Sequence, residues 1–190
     1  DRYLDTIDRV KSALRGRAKL SVVIPFWFSS TIHKQRPLAF SVMDRVDEVA
    51  VMSYRTDVDE VMAISDDVLR YGALARVPVW LALETTGLLL ERHVILKREY
   101  RTALADGVLD PVRRTLTLEP QEKVESPEQD HRMWFRIHHR TVVRPERLSF
   151  AGRTEQDVQR MITNLFARIH QANFAGLMIH DLPGYLALTR

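Results

Sequence analysis

The stretch Val77–Glu84, VPVWLALE, decides the fold predicted for this chain. It is an apolar run of strand length that ends at a carboxylate, which is typical of a parallel strand buried on both faces. Three further runs have the same form and also stop at a polar or aromatic residue: Leu20–Trp27, Val49–Tyr54 and Leu177–Asp181. The sequence therefore predicts a parallel sheet with reactive or aromatic side chains along one edge.

Helical patterns lie between these runs. Apolar residues recur at helical spacing in Tyr3–Leu14, Leu38–Arg45 and Glu155–Gln171, and in a segment that follows a predicted N-cap at Asp57. Strands that alternate with helices in this way predict βαβ units. We therefore expect an α/β fold in which parallel βα units form about half of a TIM-type barrel.

Between residues 86 and 146 the pattern changes to short alternating pieces separated by prolines. The pieces Arg114–Leu118 and Met133–Val143 read as strands, so we expect a small antiparallel β lobe inserted into a single domain that spans residues 1–190. Residues 119–130 are expected to be exposed.

Half a barrel would leave two sheet edges unpaired, and unpaired edges promote association with other strands. We therefore expect either an amino-terminal half upstream or a second chain to complete the barrel. A start at Asp1 with a helix almost at once also predicts a fragment of a longer chain. The alternative is a smaller, open α/β sheet.

Composition narrows the classes of function. The 190 residues include no cysteine, which excludes disulfides and cysteine-ligated metals and leaves both cytosol and exterior open. No apolar run is long enough to predict a membrane span. The formal charge is only +3 and the densest basic stretch, Arg132–Arg147, alternates with apolar residues, so nucleic-acid binding is not expected.

The side chains at the strand ends are the candidate site residues, because the carboxyl ends of parallel strands meet at one edge. They are Trp27, Tyr54, Arg55, Glu84, His180 and Asp181. Glu84 is the leading candidate, since a carboxylate behind a buried strand is costly unless it has a function or a partner. It could act as nucleophile or base; the alternative is a structural salt bridge to Arg55.

Of the other strand-end residues, Tyr54 is the second candidate catalytic residue, and Trp27, Arg55, His180 and Asp181 are candidate substrate-binding residues. Tyr54 could hydrogen-bond a carboxylate or a sugar hydroxyl, Arg55 could hold an anion or keep Glu84 ionised, and Trp27 could stack on a sugar ring. His180 and Asp181 place a titrating group beside a carboxylate. For the aromatic residues, packing in the core is the alternative.

Several chemistries lack their motifs. The seven glycines form no phosphate-binding loop, and no G-x-S-x-G elbow surrounds Ser53. The histidines His131, His138 and His139 fall in the strand-like lobe without a second ligand set, so we predict no metal and no cofactor.

Taken in order, the strand-end motifs resemble the second half of a glycosidase-like TIM barrel, and look most like a group of poorly characterised bacterial proteins of that type. The ending Met52-Ser-Tyr54 is similar to the sixth strand of chitinase-type barrels, although Arg55 stands where those enzymes usually have Asp. Glu84 matches the position of the nucleophile on the seventh strand of retaining glycosidases. The resemblance implies that the partner acid/base lies on a fourth strand that this chain does not contain.

The leading hypothesis is therefore a carbohydrate-active hydrolase, or a fragment of one, with Glu84 as nucleophile or base. The alternative is a non-catalytic carbohydrate-binding or scaffold protein in which Arg55 holds Glu84 in a salt bridge. A third hypothesis is that the inserted lobe docks a partner protein.

Overall fold

The structure, a computed structural model, describes residues 2–100, 105–118 and 131–190. The chain divides into two compact units, of which unit 1 comprises residues 1–89 and 145–190, and unit 2 comprises residues 90–144. The segment 119–130, for which we expect exposure, lies outside the described residues.

The elements are numbered in chain order. The strands are β1 (Ser21–Pro25), β2 (Ile32–His33), β3 (Arg36–Pro37), β4 (Glu48–Met52), β5 (Val79–Glu84), β6 (Glu91–Arg98), β7 (Gly107–Asp110), β8 (Thr115–Leu118), β9 (Met133–Val143) and β10 (Phe174–His180). The helices are α1 (Arg2–Leu14), α2 (Leu38–Met43), α3 (Val58–Ala75), α4 (Pro145–Leu148), α5 (Glu155–Arg168) and α6 (Leu182–Leu186), and a 3₁₀-helix spans Phe26–Ser29.

Unit 1 is built on a four-stranded sheet in the order β1-β4-β5-β10, in which all neighbouring strands are parallel. Along the chain, each strand of this sheet pairs with the previous strand of the same sheet. The predicted mixed α/β architecture with a parallel sheet and a small antiparallel one is thus confirmed. The strands β2 and β3 form an antiparallel hairpin. Its two-residue loop consists of Lys34 and Gln35, both at positive φ.

One face of the sheet, called here the helix face, carries the core of unit 1. Its strand residues alternate along the chain, and they are Ile24, Val49, Val51, Val79, Leu81 and Leu83, all 0% exposed. They form one cluster with apolar residues of α1, α2, α3 and α5. Because the helices of successive βα units cover the same face, the sheet is wound in one direction.

The other face, called here the second face, carries the intervening residues. These are Val23, Ala50, Met52, Trp80, Ala82 and Met178, and they do not belong to the described core cluster. Val23 is 53% exposed and Met178 is 42% exposed. The second face of this sheet is therefore apolar and partly exposed to solvent.

Local sequence explains where the elements begin and end. The side chain of Asp57 accepts a hydrogen bond from the Glu60 amide at the start of α3, and Thr154 forms a capping box with Asp157 at the start of α5. Within the apolar run Leu20–Trp27, the strand ends at Pro25, and the chain then turns into the 3₁₀-helix.

Unit 2 is an antiparallel sheet in the order β6-β9-β7-β8. The sequence pattern had indicated strands at Met133–Val143 and close to Arg114–Leu118, and β9 and β8 lie there. Val108 and Trp134, which are directly opposite each other on β7 and β9, are buried. The pair provides a small apolar centre for this unit.

Candidate functional site

The carboxyl ends of β5 and β10 bring together a carboxylate and an imidazole that are far apart in the sequence. Glu84 is the last residue of β5, and its register partner in β10 is His180. Neighbouring parallel strands place such partners side by side on the same face. The result is a short hydrogen-bonded pair at the end of the second face.

Glu84 is only 3% exposed, and both of its carboxylate oxygens accept hydrogen bonds. Oε1 accepts from the backbone amides of Thr85 and Thr86 at 2.9 and 2.7 Å. Oε2 lies 2.8 Å from Nδ1 of His180. The side chain is thus held from two sides, and its position is set by the backbone that follows β5.

These contacts keep Glu84 ionised. Burial alone would raise the pKa of its carboxyl group, but hydrogen bonds from the backbone and side chain of Thr86 and from His180 together hold the pKa below its ordinary value. A buried carboxylate that stays charged is an acceptor only. The Nδ1 atom of His180 must therefore be the donor of the bond to Glu84.

His180 is the exposed partner of the pair, with 58% of its side chain accessible to solvent. Since Nδ1 carries a proton toward Glu84, Nε2 has its lone pair available whenever the ring is neutral. The ring of Tyr54 stacks on the imidazole with a centroid distance of 5.6 Å and an interplanar angle of 27°. Desolvation and the Glu84 charge raise the pKa of the Tyr54 phenol, so this ring stays neutral.

The carboxylate of Asp181 forms a hydrogen bond with the backbone. Its carboxylate Oδ2 accepts a hydrogen bond from the Gly184 amide at 3.0 Å, in the first turn of α6. The hydroxyl of Thr85 donates to the carbonyl oxygens of His180 and Asp181, both at 2.8 Å. These bonds tie the two strand ends together and fix the backbone from which His180 projects.

Arg55 forms an ion pair with Glu60 and not with Glu84. Its Nε is 3.4 Å from Oε2 of Glu60, and its guanidinium lies 4.8 Å from the centroid of the Phe26 ring. Glu60 also pairs with Arg147. The salt bridge between Arg55 and Glu84, which the sequence left open as the alternative, is not formed; the carboxylate has its bonds from Thr85, Thr86 and His180 instead.

Trp27 is 52% exposed in the 3₁₀-helix that follows β1, and its ring meets Phe26 edge-on at 5.2 Å. Since β4 lies between β1 and β5, the two strand backbones are separated by about 10 Å. Of the six predicted residues, the structure thus brings Tyr54, Glu84 and His180 into one cluster. This set is called the Glu84 cluster below.

Sequence reasoning identified Glu84 but missed the groups that hold it. The bonds from Thr85 and Thr86 come from backbone amides, which every residue except proline has, so residue type does not reveal them. The register of β10 on β5 cannot be predicted from either strand alone. Within the described ranges, no group of three or more acidic, histidine or cysteine side chains is arranged to hold a metal ion.

Among the described helices, none combines the length and apolar character needed to cross a membrane. No protein-family model, curated protein or solved structure matches the chain.

Proposed function

We propose that the Glu84 cluster is the proton-transfer centre of a carbohydrate-active hydrolase, or of a fragment of one. The observation that carries this proposal is the bond between the buried, ionised Glu84 and Nδ1 of the exposed His180. Nε2 of this exposed ring then acts as general base on a hydroxyl or water, and Glu84 stabilises the imidazolium that forms.

In this arrangement Glu84 orients the base rather than attacking the sugar directly. Its burial and its hydrogen bonds from Thr85, Thr86 and His180 support that role, since an attacking carboxylate needs an oxygen that faces the anomeric carbon. Two-carboxylate glycosidase chemistry would require a second free carboxylate. Asp181 is used as a helix cap and Glu60 is paired with Arg55, so neither is free for that task.

The carbohydrate class rests on the strand-end position of the cluster and on the aromatic groups along the same edge. The exposed ring of Trp27 offers a stacking surface of the kind that sugars use. The resemblance to glycosidase-like barrels points to the same class of substrate.

We also propose that the four-stranded sheet is part of a TIM-type barrel. Strands that follow each other in one direction, helices on a single face and an apolar second face are the properties of a barrel wall. Further parallel strands, from a longer polypeptide or from a second chain, would then cover the second face. Light scattering and binding of the hydrophobic dye ANS test this: a monomer that binds no dye would exclude it.

The decisive experiment on function uses Glu84→Gln. The glutamine oxygen can still accept from the Thr85 and Thr86 amides, but its amide nitrogen donates to Nδ1 of His180 and so moves the ring proton to Nε2. Hydrolysis of soluble polysaccharides and aryl glycosides should fall by about 10²-fold or more, because the base is lost. Sugar affinity, measured by calorimetry, should change little.

Glu48→Gln is the matched control, since this carboxylate lies at the opposite end of the sheet, where it accepts a bond from Trp80. It should leave hydrolysis unchanged. A wild-type protein that neither binds nor cleaves any of these carbohydrates would sink the proposal.

A second candidate function is carbohydrate binding without turnover. The full set of hydrogen bonds on Glu84 favours it, because a saturated carboxylate also suits a purely structural role. It predicts sugar binding by wild type and Glu84→Gln alike, with no cleavage by either.

A further inference from the structure

The antiparallel sheet of unit 2 contains a polar cleft that the proposed function does not use. The cleft has a volume of about 420 Å³ and lies where β6 and β9 pair. It is lined by Lys97, Arg98, Glu99, Arg136, Ile137 and His138. Four of these six side chains are cationic or can become so.

The pairing of β6 with β9 places two cations directly opposite each other. Among the eight register pairs of these strands, only Lys97 with Arg136 joins two charged residues, and both charges are positive. Like charges in directly opposite positions are destabilising in an antiparallel sheet. An anion that lies between them would convert this repulsion into two attractive contacts.

The ion pairs among the described residues of unit 2 do not include these two cations. In the described residues, His93 pairs with Glu91 and Arg113 with Asp110, whereas neither Lys97 nor Arg136 has such a partner. The carboxylate of Glu99, which also lines the cleft, accepts a bond from the Tyr100 amide at 2.9 Å. Within the part of the chain that the structure describes, no salt bridge to the opposed pair therefore balances the positive charge of the cleft.

His138 adds a third donor through an irregularity in the sheet. The register shifts so that Ile95 is opposite His139 while Leu96 is opposite Ile137, which leaves His138 as the extra residue. Such bulges redirect a side chain out of the regular alternation. His138 thus joins Lys97 and Arg136 at the cleft.

We propose that this cleft binds one oxyanion group, the phosphate or sulfate ester of a small ligand. A guanidinium offers a planar pair of N–H donors to two oxygens of such a group, and an ammonium supplies a compact charge beside it. The six lining residues include no aromatic ring on which a base could stack, which favours a single anionic group over a nucleic-acid strand. The site lies within unit 2 and is independent of the Glu84 cluster.

The test is an NMR titration of backbone amides with inorganic phosphate and with sulfate, against sodium chloride at equal ionic strength. Saturable shifts are expected at residues 97–99 and 136–138, with millimolar affinity. Arg136→Gln and Lys97→Gln should each weaken binding about tenfold, since each removes a charged hydrogen-bond donor. Arg92→Gln is the control, because Arg92 lies on the same strand opposite the apolar Val142.

Two further arms identify the source of the anion. Tighter binding of glucose 6-phosphate than of inorganic phosphate would assign the cleft to an ester of a small ligand, whereas equal or weaker binding would overturn that part. Affinity for single-stranded DNA that rises with its length would overturn the single-group proposal in favour of nucleic acid. Shifts that do not saturate, or equal losses in Arg92→Gln and Arg136→Gln, would remove the site altogether. Unchanged amide spectra outside the cleft establish that the variants are folded.

Discussion

On the helix face of the parallel sheet, Leu81 and Leu83 are completely buried, whereas on the second face Val23 and Met178 keep about half of their surface in solvent. The same strands supply both sets of residues, in strict alternation. The helix face stabilises unit 1 through packing, and the second face leads to the Glu84 cluster at its carboxyl edge. An apolar residue in these strands is thus not by itself evidence of a core position.

The largest expected effect is on the helix face. Leu81→Ala should lower the free energy of unfolding by about 2–5 kcal/mol, because it removes a buried side chain and leaves a cavity between sheet and helices. Met178→Ala, the matched change on the second face, should cost less than about 1 kcal/mol, since part of that side chain is already in water. Urea unfolding measures both values, and equal losses would mean that the two faces are covered alike.

A smaller effect is expected at a glycine where the second face has no room for a side chain. Gly176 has φ +136°, and a Cβ there would lie 3.0 Å from Cζ3 of Trp80. Gly176→Ala should therefore destabilise the sheet by about 1–3 kcal/mol, through backbone strain and overpacking. Thermal unfolding would show the loss. Gly87→Ala is the control, because nothing lies within 4 Å of its Cβ position.

The pH dependence of stability tests the edge where the second face ends. The pKa of Glu84 is held below its ordinary value in the folded chain, so its contribution to stability is present above that ordinary value and is lost as the pH falls through the folded value. Wild type should therefore lose more stability than Glu84→Gln as the pH is lowered from neutral into the acid range. Taking the difference between the two proteins cancels the shared contributions of other carboxylates. Parallel curves would show that Glu84 is not held in its charged form.

The smallest effect on stability is expected from a charge on the open part of the second face. Val23→Lys should change the free energy of unfolding by no more than about 0.5 kcal/mol, because the side chain is largely exposed. It should nevertheless reduce ANS binding and self-association, since it breaks the apolar surface. A large loss of stability would mean that Val23 is packed against other residues instead of being exposed to solvent.

Much of the architecture could be predicted from local pattern. The apolar runs around β4, β5 and β10 and the helical spacing of α3 and α5 are signals within single segments, and these elements formed where expected. The 3₁₀-helix after Pro25, the β2–β3 hairpin and α6 were missed, because short elements depend on turn geometry more than on periodicity.

The candidate site was predicted only in part. The position of Glu84 at the end of a strand follows from its own run, but its partner does not. Arg55 is 29 positions from Glu84 in the sequence and pairs with Glu60. His180 is 96 positions from Glu84 and forms the hydrogen bond with it. A sequence pattern carries no information about which of two basic side chains, both distant in the chain, a carboxylate will meet.

The sequence by itself determined the kinds of elements, their order and the side chains at the strand ends, because apolar periodicity and turn residues act over a few neighbouring positions. Only the tertiary structure decided which face of the sheet the helices cover and that Glu84 holds His180 rather than Arg55. Those outcomes depend on strand register and on competition for hydrogen bonds between distant segments, and both are settled when the strands pair.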